Sequence, residues 1–314
     1  MEDYNVYDSV FKTIMQKIPR LVIPLVNEAF GRDYPLDEQV ELLPTEYEVP
    51  RGYITADSVL RVGKRIYHIE CQSAADPRMP IRMIEYNFAI AFEQADATGK
   101  VDSIDFPDSC VVYLRESARE PERPNMTLNM PDGEVFTFPV HALGAQSYGA
   151  DELFERGLLA LVPFYLMRYE KELSAIAADD ERASALLAEL ADMRADLEAA
   201  ALEMGDAGLY NELVSMSTRV SDHLLRSEGA FKREARSAMG GEVLLLLSEE
   251  KELAVNKARE EGIEAGREEG RQEGIEEGRQ EGREEGREAE RMRLVARMRA
   301  QGVDDATIAA IVRE

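Results

Sequence analysis

The sequence predicts a mixed α/β fold followed by a helical region and a long charged helical tail. Three observations lead there. Residues 56–72 read as two β-strands around a tight turn, the segments flanking them have helical periodicity, and from Asp151 onward the apolar pattern is helical. The expected divisions are an α/β domain over 1–150, a helical region over 151–257, a Glu/Gly/Arg repeat over 258–290 and a helical hairpin over 291–314.

The first expected helix runs from Asp8 to Ile18, with Val10, Phe11, Ile14, Met15 and Ile18 at helical spacing, Asp8 as its N-cap and Pro19 ending it. A second covers Leu21–Phe30, with Pro24 tolerated in its first turn and Gly31 beyond its end. The strand pair follows as Ala56–Val62 and Arg65–Gln72. Gly63-Lys64 suits a two-residue turn with Gly at its first central position. That turn sets Val62 opposite Arg65, Leu60 opposite Tyr67 and Ser58 opposite Ile69, which places Asp57 opposite Glu70. Gln72 shares the Glu70 face and Cys71 points to the other, because side chains alternate along a strand.

Like charges directly opposed in a hairpin are destabilising, so the acids require compensation. Solvation or neutralisation by Arg61 and Lys64 supplies one form of it, protonation of one carboxyl a second, and a divalent cation a third. Hard ions such as Mg²⁺ take carboxylate and carbonyl oxygens.

A crossover helix is expected over Met79–Ala95, with Ile81, Ile84, Phe88, Ala91 and Phe92 turned inward and Arg82, Glu85 and Tyr86 on its polar side. Strands then lie in SCVVYLRE and EVFTFPVHAL, which completes a three-layer core. In DELFERGLLALVPFYLMRYEKEL, Pro163 should kink or break the helix. Ala/Leu/Glu-rich segments punctuated at Gly205, Gly208 and Gly240-Gly241 read as a bundle. Glycines from Gly262 to Gly286 recur every fourth residue, giving a marginal charged helix or, by close backbone pairing, a homo-oligomer contact.

Asp57 with Glu70-Cys71-Gln72 across a hairpin resembles the active-site signature of the PD-(D/E)XK nucleases. With YDSVFKTI near the start and GLLALVPFYLMRYEKEL after the sheet, residues 1 to about 175 resemble the Rpn family of recombination-promoting, transposase-like nucleases. The resemblance implies a PD-(D/E)XK-type mixed sheet flanked by helices and a metal-dependent endonuclease acting on DNA. In it Asp57, Glu70 and the Cys71 carbonyl would bind Mg²⁺ or another divalent cation, and Gln72 would orient a water or a phosphate oxygen. Asp8 would lean over the metal. The family's commonest pattern has Lys where Gln72 stands, and Gln carries no charge. Lys12 shares the Asp8 face, and either pairs with Asp8 or supplies that missing cation. Arg82 and Tyr86 are the expected phosphate contacts.

The charge balance excludes a duplex-coating protein. Formal net charge is −25 over the chain, and residues 1–150 hold 14 Lys/Arg against 24 Asp/Glu. A local basic cluster, from RVGKRIYH with Arg78 and Arg82, would have to carry the phosphates. The two cysteines, both in strand-like runs, point to reduced core thiols, and the three histidines make no zinc-type spacing with them. His68 shares the Glu70 face. No secretion leader or membrane-spanning run is evident, so a cytoplasmic protein is expected.

Overall fold

The computed structural model describes residues 6–49, 52–73, 76–99, 102–115, 126–241, 282–283 and 285–302. The described residues up to 241 belong to one compact unit, and those from 282 on belong to a second.

Helix α1 spans Val6–Lys17 and α2 spans Val22–Phe30, joined by a short 3₁₀ turn at Pro19–Leu21. Asp8 therefore lies in the first turn of α1 instead of capping it. Gly31 closes α2 in the left-handed region at φ 59°, its amide bonded to the Asn27 carbonyl. A Cβ there meets open space, so only backbone strain opposes it. Gly31→Ala is accordingly expected to cost about 1 kcal/mol, read as a lower urea midpoint.

Among the described residues nine strands follow in chain order, with α3 (Met79–Thr98) between the fifth and the sixth. They are β1 (Val40–Leu42), β2 (Glu46–Val49), β3 (Gly52–Thr55), β4 (Ser58–Val62), β5 (Arg65–Gln72), β6 (Asp108–Tyr113), β7 (Met126–Asn129), β8 (Val135–Phe138) and β9 (His141–Gly144). Five form the central sheet in the order β1-β4-β5-β6-β9; β2-β3 and β7-β8 are separate ribbons. The sheet is mixed: β1, β4 and β5 pair antiparallel, whereas β5-β6 and β6-β9 pair parallel.

The β4-β5 register agrees with the sequence expectation, with Val62 opposite Arg65, Leu60 opposite Tyr67 and Ser58 opposite Ile69. Gly63 sits at φ 57°, and among the described residues only glycines have positive φ, as a type II′ turn requires. Alternation along β5 then divides the molecule. Tyr67, Ile69 and Cys71 enter the main core with α1 and α2, while His68 and Glu70 face α3.

The second layer differs from expectation at α3. Its buried side carries Met79, Met83, Tyr86, Asn87 and Ile90, leaving Ile81, Phe88 and Phe92 exposed. The cause is the sheet surface beneath, where buried His68 and Glu70 need polar partners that an all-apolar helix face could not give.

From residue 150 the chain is helical: α4 (Ala150–Glu155), a 3₁₀ segment at Leu159–Tyr169 containing Pro163, then α5 (Leu173–Ala177), α6 (Asp180–Glu203), α7 (Ala207–Leu224) and α8 (Gly229–Ala238). Pro163 has no N–H to give an α-helical ladder, and the 3₁₀ segment runs through it without a break. Core residues of the 3₁₀ segment, α6 and α7 join the same cluster as α1, α2 and the sheet. The division expected at residue 150 thus falls inside one compact unit. In the second unit, residues 285–300 are helical and Gly302 follows at φ 83°. Most of the Glu/Gly/Arg repeat, and the hairpin's second helix, lie outside the described residues. Among the described residues no helix is long and apolar enough to cross a membrane.

Candidate functional site

Ladder pairing of β4 with β5 begins at Ser58, and Asp57 occupies the bend just before it. Asp57 was expected inside the strand; it is instead a rim residue where three layers meet. Its amide donates to Glu70 Oε1 at 2.9 Å, and its Oδ2 accepts from the Cys71 amide at 2.8 Å. The acids are therefore tied reciprocally through backbone, each end of the hairpin gripping the other's carboxylate. Asp57 Oδ1 faces Lys12 Nζ at 3.0 Å. Lys12, expected either to pair with Asp8 or to supply the cation that Gln72 lacks, thus sets its ammonium on Asp57.

Glu70 is fully buried. Besides the Asp57 amide, its Oε1 faces His68 Nε2 at 3.0 Å. Its Oε2 makes no hydrogen bond, and Arg82 Nη2 stands 3.5 Å away, beyond good charge-assisted bonding. Burial, then the charge of Glu70, push the Asp57 carboxyl up from 3.8 to about 6, against the pull of Lys12 and the Cys71 amide. For Lys12, burial draws the ammonium's pKa down, but the Asp57 carboxylate and its hydrogen bond, then Glu70 and Asp8, raise it overall.

The other expected residues are placed as follows. Gln72 ends β5 half-buried on the Glu70 side, its carbonyl accepting from the Leu114 amide at 2.9 Å. Asp8 is close enough for its charge to be felt at Lys12 and Cys71. Arg82 reaches Asp76 at 3.1 Å, the Tyr86 hydroxyl at 3.3 Å and the Glu70 side. Tyr86, expected on the polar face, is buried with its ring edge-on to His68 at 5.6 Å. Cys71 contributes its amide to Asp57, and burial, then the charges of Asp57, Asp8 and Glu70, drive its thiol well above the ordinary value. Both cysteines are free and buried.

The basic cluster divides. Gly63 is six residues from Asp57, about 20 Å along a strand, so Arg61, Lys64 and Arg65 lie at the far end of the hairpin. There Arg61 pairs with Glu41 and Gln94, and Arg65 with Asp108. Of that cluster, Arg82 is the member that reaches the acids.

Sequence reasoning missed Asn87, Ser109 and Arg115. Asn87 Oδ1 meets His68 Nδ1 at 2.7 Å and its Nδ2 donates to Ser109 Oγ at 2.6 Å. Arg115 grips both Glu170 oxygens, at 2.5 and 2.9 Å, and the Ser73 carbonyl, fastening the exit of β5 to the helical region. An Asn in the middle of a largely apolar helix is the one signal the sequence carried.

No protein-family profile, curated protein or solved structure matches the chain. The site therefore has to be read from its own chemistry. Among the described residues, no group of three or more His, Cys, Asp and Glu side chains is arranged to hold a metal ion. What is present is a pair of carboxylates with one buried oxygen lacking any hydrogen bond and another held by a flexible lysine. Hard, oxygen-seeking cations take one or two such carboxylates and fill their remaining positions with water or phosphate; here Lys12 Nζ stands 3.0 Å from Asp57 Oδ1 and Arg82 Nη2 stands 3.5 Å from Glu70 Oε2.

Proposed function

We propose that the chain is a metal-dependent DNA endonuclease of the recombination-promoting type its sequence resembles. The observation that carries the reading is the Asp57-Glu70 pair: two acids interlocked through backbone amides, with Glu70 Oε2 buried and without a hydrogen bond. That oxygen faces the Arg82 guanidinium at 3.5 Å and accepts no hydrogen bond, which leaves a buried acceptor with capacity to spare. Asp57 and Glu70, with the Cys71 carbonyl, would hold Mg²⁺ or a similar divalent ion. Such an ion lowers the pKa of a bound water and offsets charge on the scissile phosphate.

The chain's own residues then divide the remaining work. Lys12 supplies the positive charge that Gln72 cannot, beside the Asp57 oxygen. Gln72, at the end of β5, orients the attacking water or a phosphate oxygen through its amide. Arg82 binds a non-bridging phosphate oxygen, with Tyr86 setting its guanidinium through the hydroxyl contact. Asp8 adds negative charge at the rim.

A second reading is favoured by the Lys12-Asp57 ion pair, which already neutralises one acid. In it the fold is a binding module without cleavage. Plasmid nicking separates the two. Under the nuclease reading, purified protein nicks supercoiled DNA with Mg²⁺, stops on EDTA addition, and loses the activity in Asp57→Ala. Absence of nicking with Mg²⁺ and Mn²⁺, in a protein that still shifts DNA in gels, would establish the binding module instead.

A further inference from the structure

The basic residues at the turn end of the hairpin lie away from the acids, and their surroundings have a chemistry of their own. Arg61, Lys64 and Arg65 line an open cleft of about 410 Å³, together with Gln94 and Phe106. Its charge balance differs from that of the chain. Asp108 is shared by two guanidinia, 3.1 Å from Arg32 and 3.2 Å from Arg65, and Arg61 pairs with Glu41. Lys64 is exposed in the turn and makes no ion pair among the described residues. Asp105 also lines the cleft. Four cations thus meet three acids here, in a chain whose whole formal charge is −25.

A run of aromatic rings leads away from the cleft. Phe106 meets Phe88 edge-on with centroids 4.8 Å apart, Phe88 lies 5.8 Å from Phe92, and Phe106 packs on half-buried Phe138 at 5.5 Å. Phe88, Phe92 and Phe106 are 36%, 54% and 38% exposed. Single exposed apolar side chains are common, but contiguous ones mark a surface that something covers. On α3, Phe88 and Phe92 lie between Arg82, which reaches Glu70, and Gln94, which accepts from Arg61. From residue 82 to residue 94 the helix rises about 18 Å.

We infer that this cleft and its rings bind an unpaired DNA strand, Arg61, Lys64 and Arg65 taking phosphates while Phe106, Phe88 and Phe92 stack against bases. Bases are locked in the stack of a duplex and can be splayed out of a single strand, so exposed rings discriminate between the two. A duplex also asks for a broad basic face, which a chain this acidic lacks. A few cations beside aromatic rings suffice for one strand. The site's role rests on the DNA-cleaving reading above and adds the form of the substrate: DNA with an unpaired stretch, held at one end of α3 and cut at the other.

The test is fluorescence anisotropy of the full chain in EDTA with a labelled oligothymidylate of roughly 12 nucleotides and with a blunt duplex of equal length. Wild type is compared with Phe92→Ala, with Lys64→Glu and, as a control at an exposed apolar residue elsewhere, with Leu202→Ala, each checked for folding by thermal melting. Wild type is expected to prefer the single strand by about tenfold or more, with a log–log salt slope of about −2 from three phosphate contacts at about −0.7 each. Phe92→Ala should weaken strand binding roughly 5- to 100-fold, the range for loss of one stacked base. Lys64→Glu should weaken it about tenfold and flatten the salt slope, and Leu202→Ala should change neither. If Phe92→Ala does not fold, Lys64→Glu, in an exposed turn, carries the test. Equal affinity for strand and duplex, or folded Phe92→Ala and Lys64→Glu proteins that bind as wild type does, overturn the inference and leave the nuclease reading to plasmid nicking. A dimer in sedimentation velocity that Phe92→Ala dissociates, with strand affinity unchanged, gives the rings to a second copy and likewise overturns it. A wild type that binds no DNA yet nicks plasmid with Mg²⁺ overturns the strand site alone; one that neither binds nor nicks overturns both.

Discussion

Glu70→Gln is expected to fold and to lose about a thousandfold or more of Mg²⁺-dependent nicking. A metal ion supplies several kcal/mol of transition-state charge stabilisation, and each 1.4 kcal/mol or so is a decade in rate. The isosteric variant is the informative one. Its amide oxygen still accepts from the Asp57 amide, so the hairpin remains tied. Its amide nitrogen, placed where Oε2 has no hydrogen bond, becomes a buried donor near Arg82 and costs about 1–3 kcal/mol of stability. Glu70→Ala would strip the Asp57 amide of its acceptor and confuse unfolding with loss of chemistry. Single-turnover rates at saturating Mg²⁺, alongside a denaturant midpoint, separate the two effects. A Glu70→Gln protein as active as wild type would remove Glu70 from the mechanism.

The second large effect is on stability, and its sign follows from Asp57. The folded chain holds this carboxyl's proton to about pH 6, whereas its ordinary value is 3.8. Between those values the folded state binds more protons than the unfolded one, so this group's contribution falls as pH rises through the window and is flat above it. A shift of that size corresponds to a change on the order of 3 kcal/mol. Glu170 and Asp76 act in the opposite direction. The Arg115 hydrogen bond lowers the first, against its burial, and the Arg78 amide chiefly lowers the second, so their contributions are lost on acidification. The difference between wild type and Asp57→Asn isolates the Asp57 part. Urea melts in EDTA from pH 4 to pH 7.5 should show wild type losing ground to Asp57→Asn as pH rises. Mg²⁺ reverses this at the upper end. At about a hundredfold over its Kd it should add about 2.7 kcal/mol at pH 7.5, and far less at pH 4.5 where a proton occupies the carboxyl. A melt that is indifferent to Mg²⁺ at both pH values would count against the cation.

The hairpin was legible in the sequence because two local signals agree there. Gly63-Lys64 dictates the turn, and strict alternation on either side allows only one register. Helices α1 and α2 were legible by the same logic, from periodicity stopped at Pro19 and Gly31. The inward face of α3 was not. Counting apolar residues favoured Ile81, Phe88 and Phe92, yet the helix turns Tyr86 and Asn87 inward to meet His68 and Glu70. That choice depends on what the opposing sheet presents, which no window within the helix contains. The same limit hid Ser109, 22 positions from Asn87, and the Arg115-Glu170 tie across 55 positions. Asp57 is legible as the acid that meets Glu70, but not as a residue outside the strand. Its two backbone-linked contacts require the bend that precedes the first ladder pair.

Strand β5 serves two masters on alternate residues, core toward α1 and α2, acids and imidazole toward α3. Point substitutions can therefore retune either side independently, but a one-residue insertion or deletion between Arg65 and Glu70 would exchange the two sets, burying Glu70 among hydrocarbons and turning Tyr67 or Ile69 toward α3. Descendants of this chain are free to vary the chemistry of that strand and not its length.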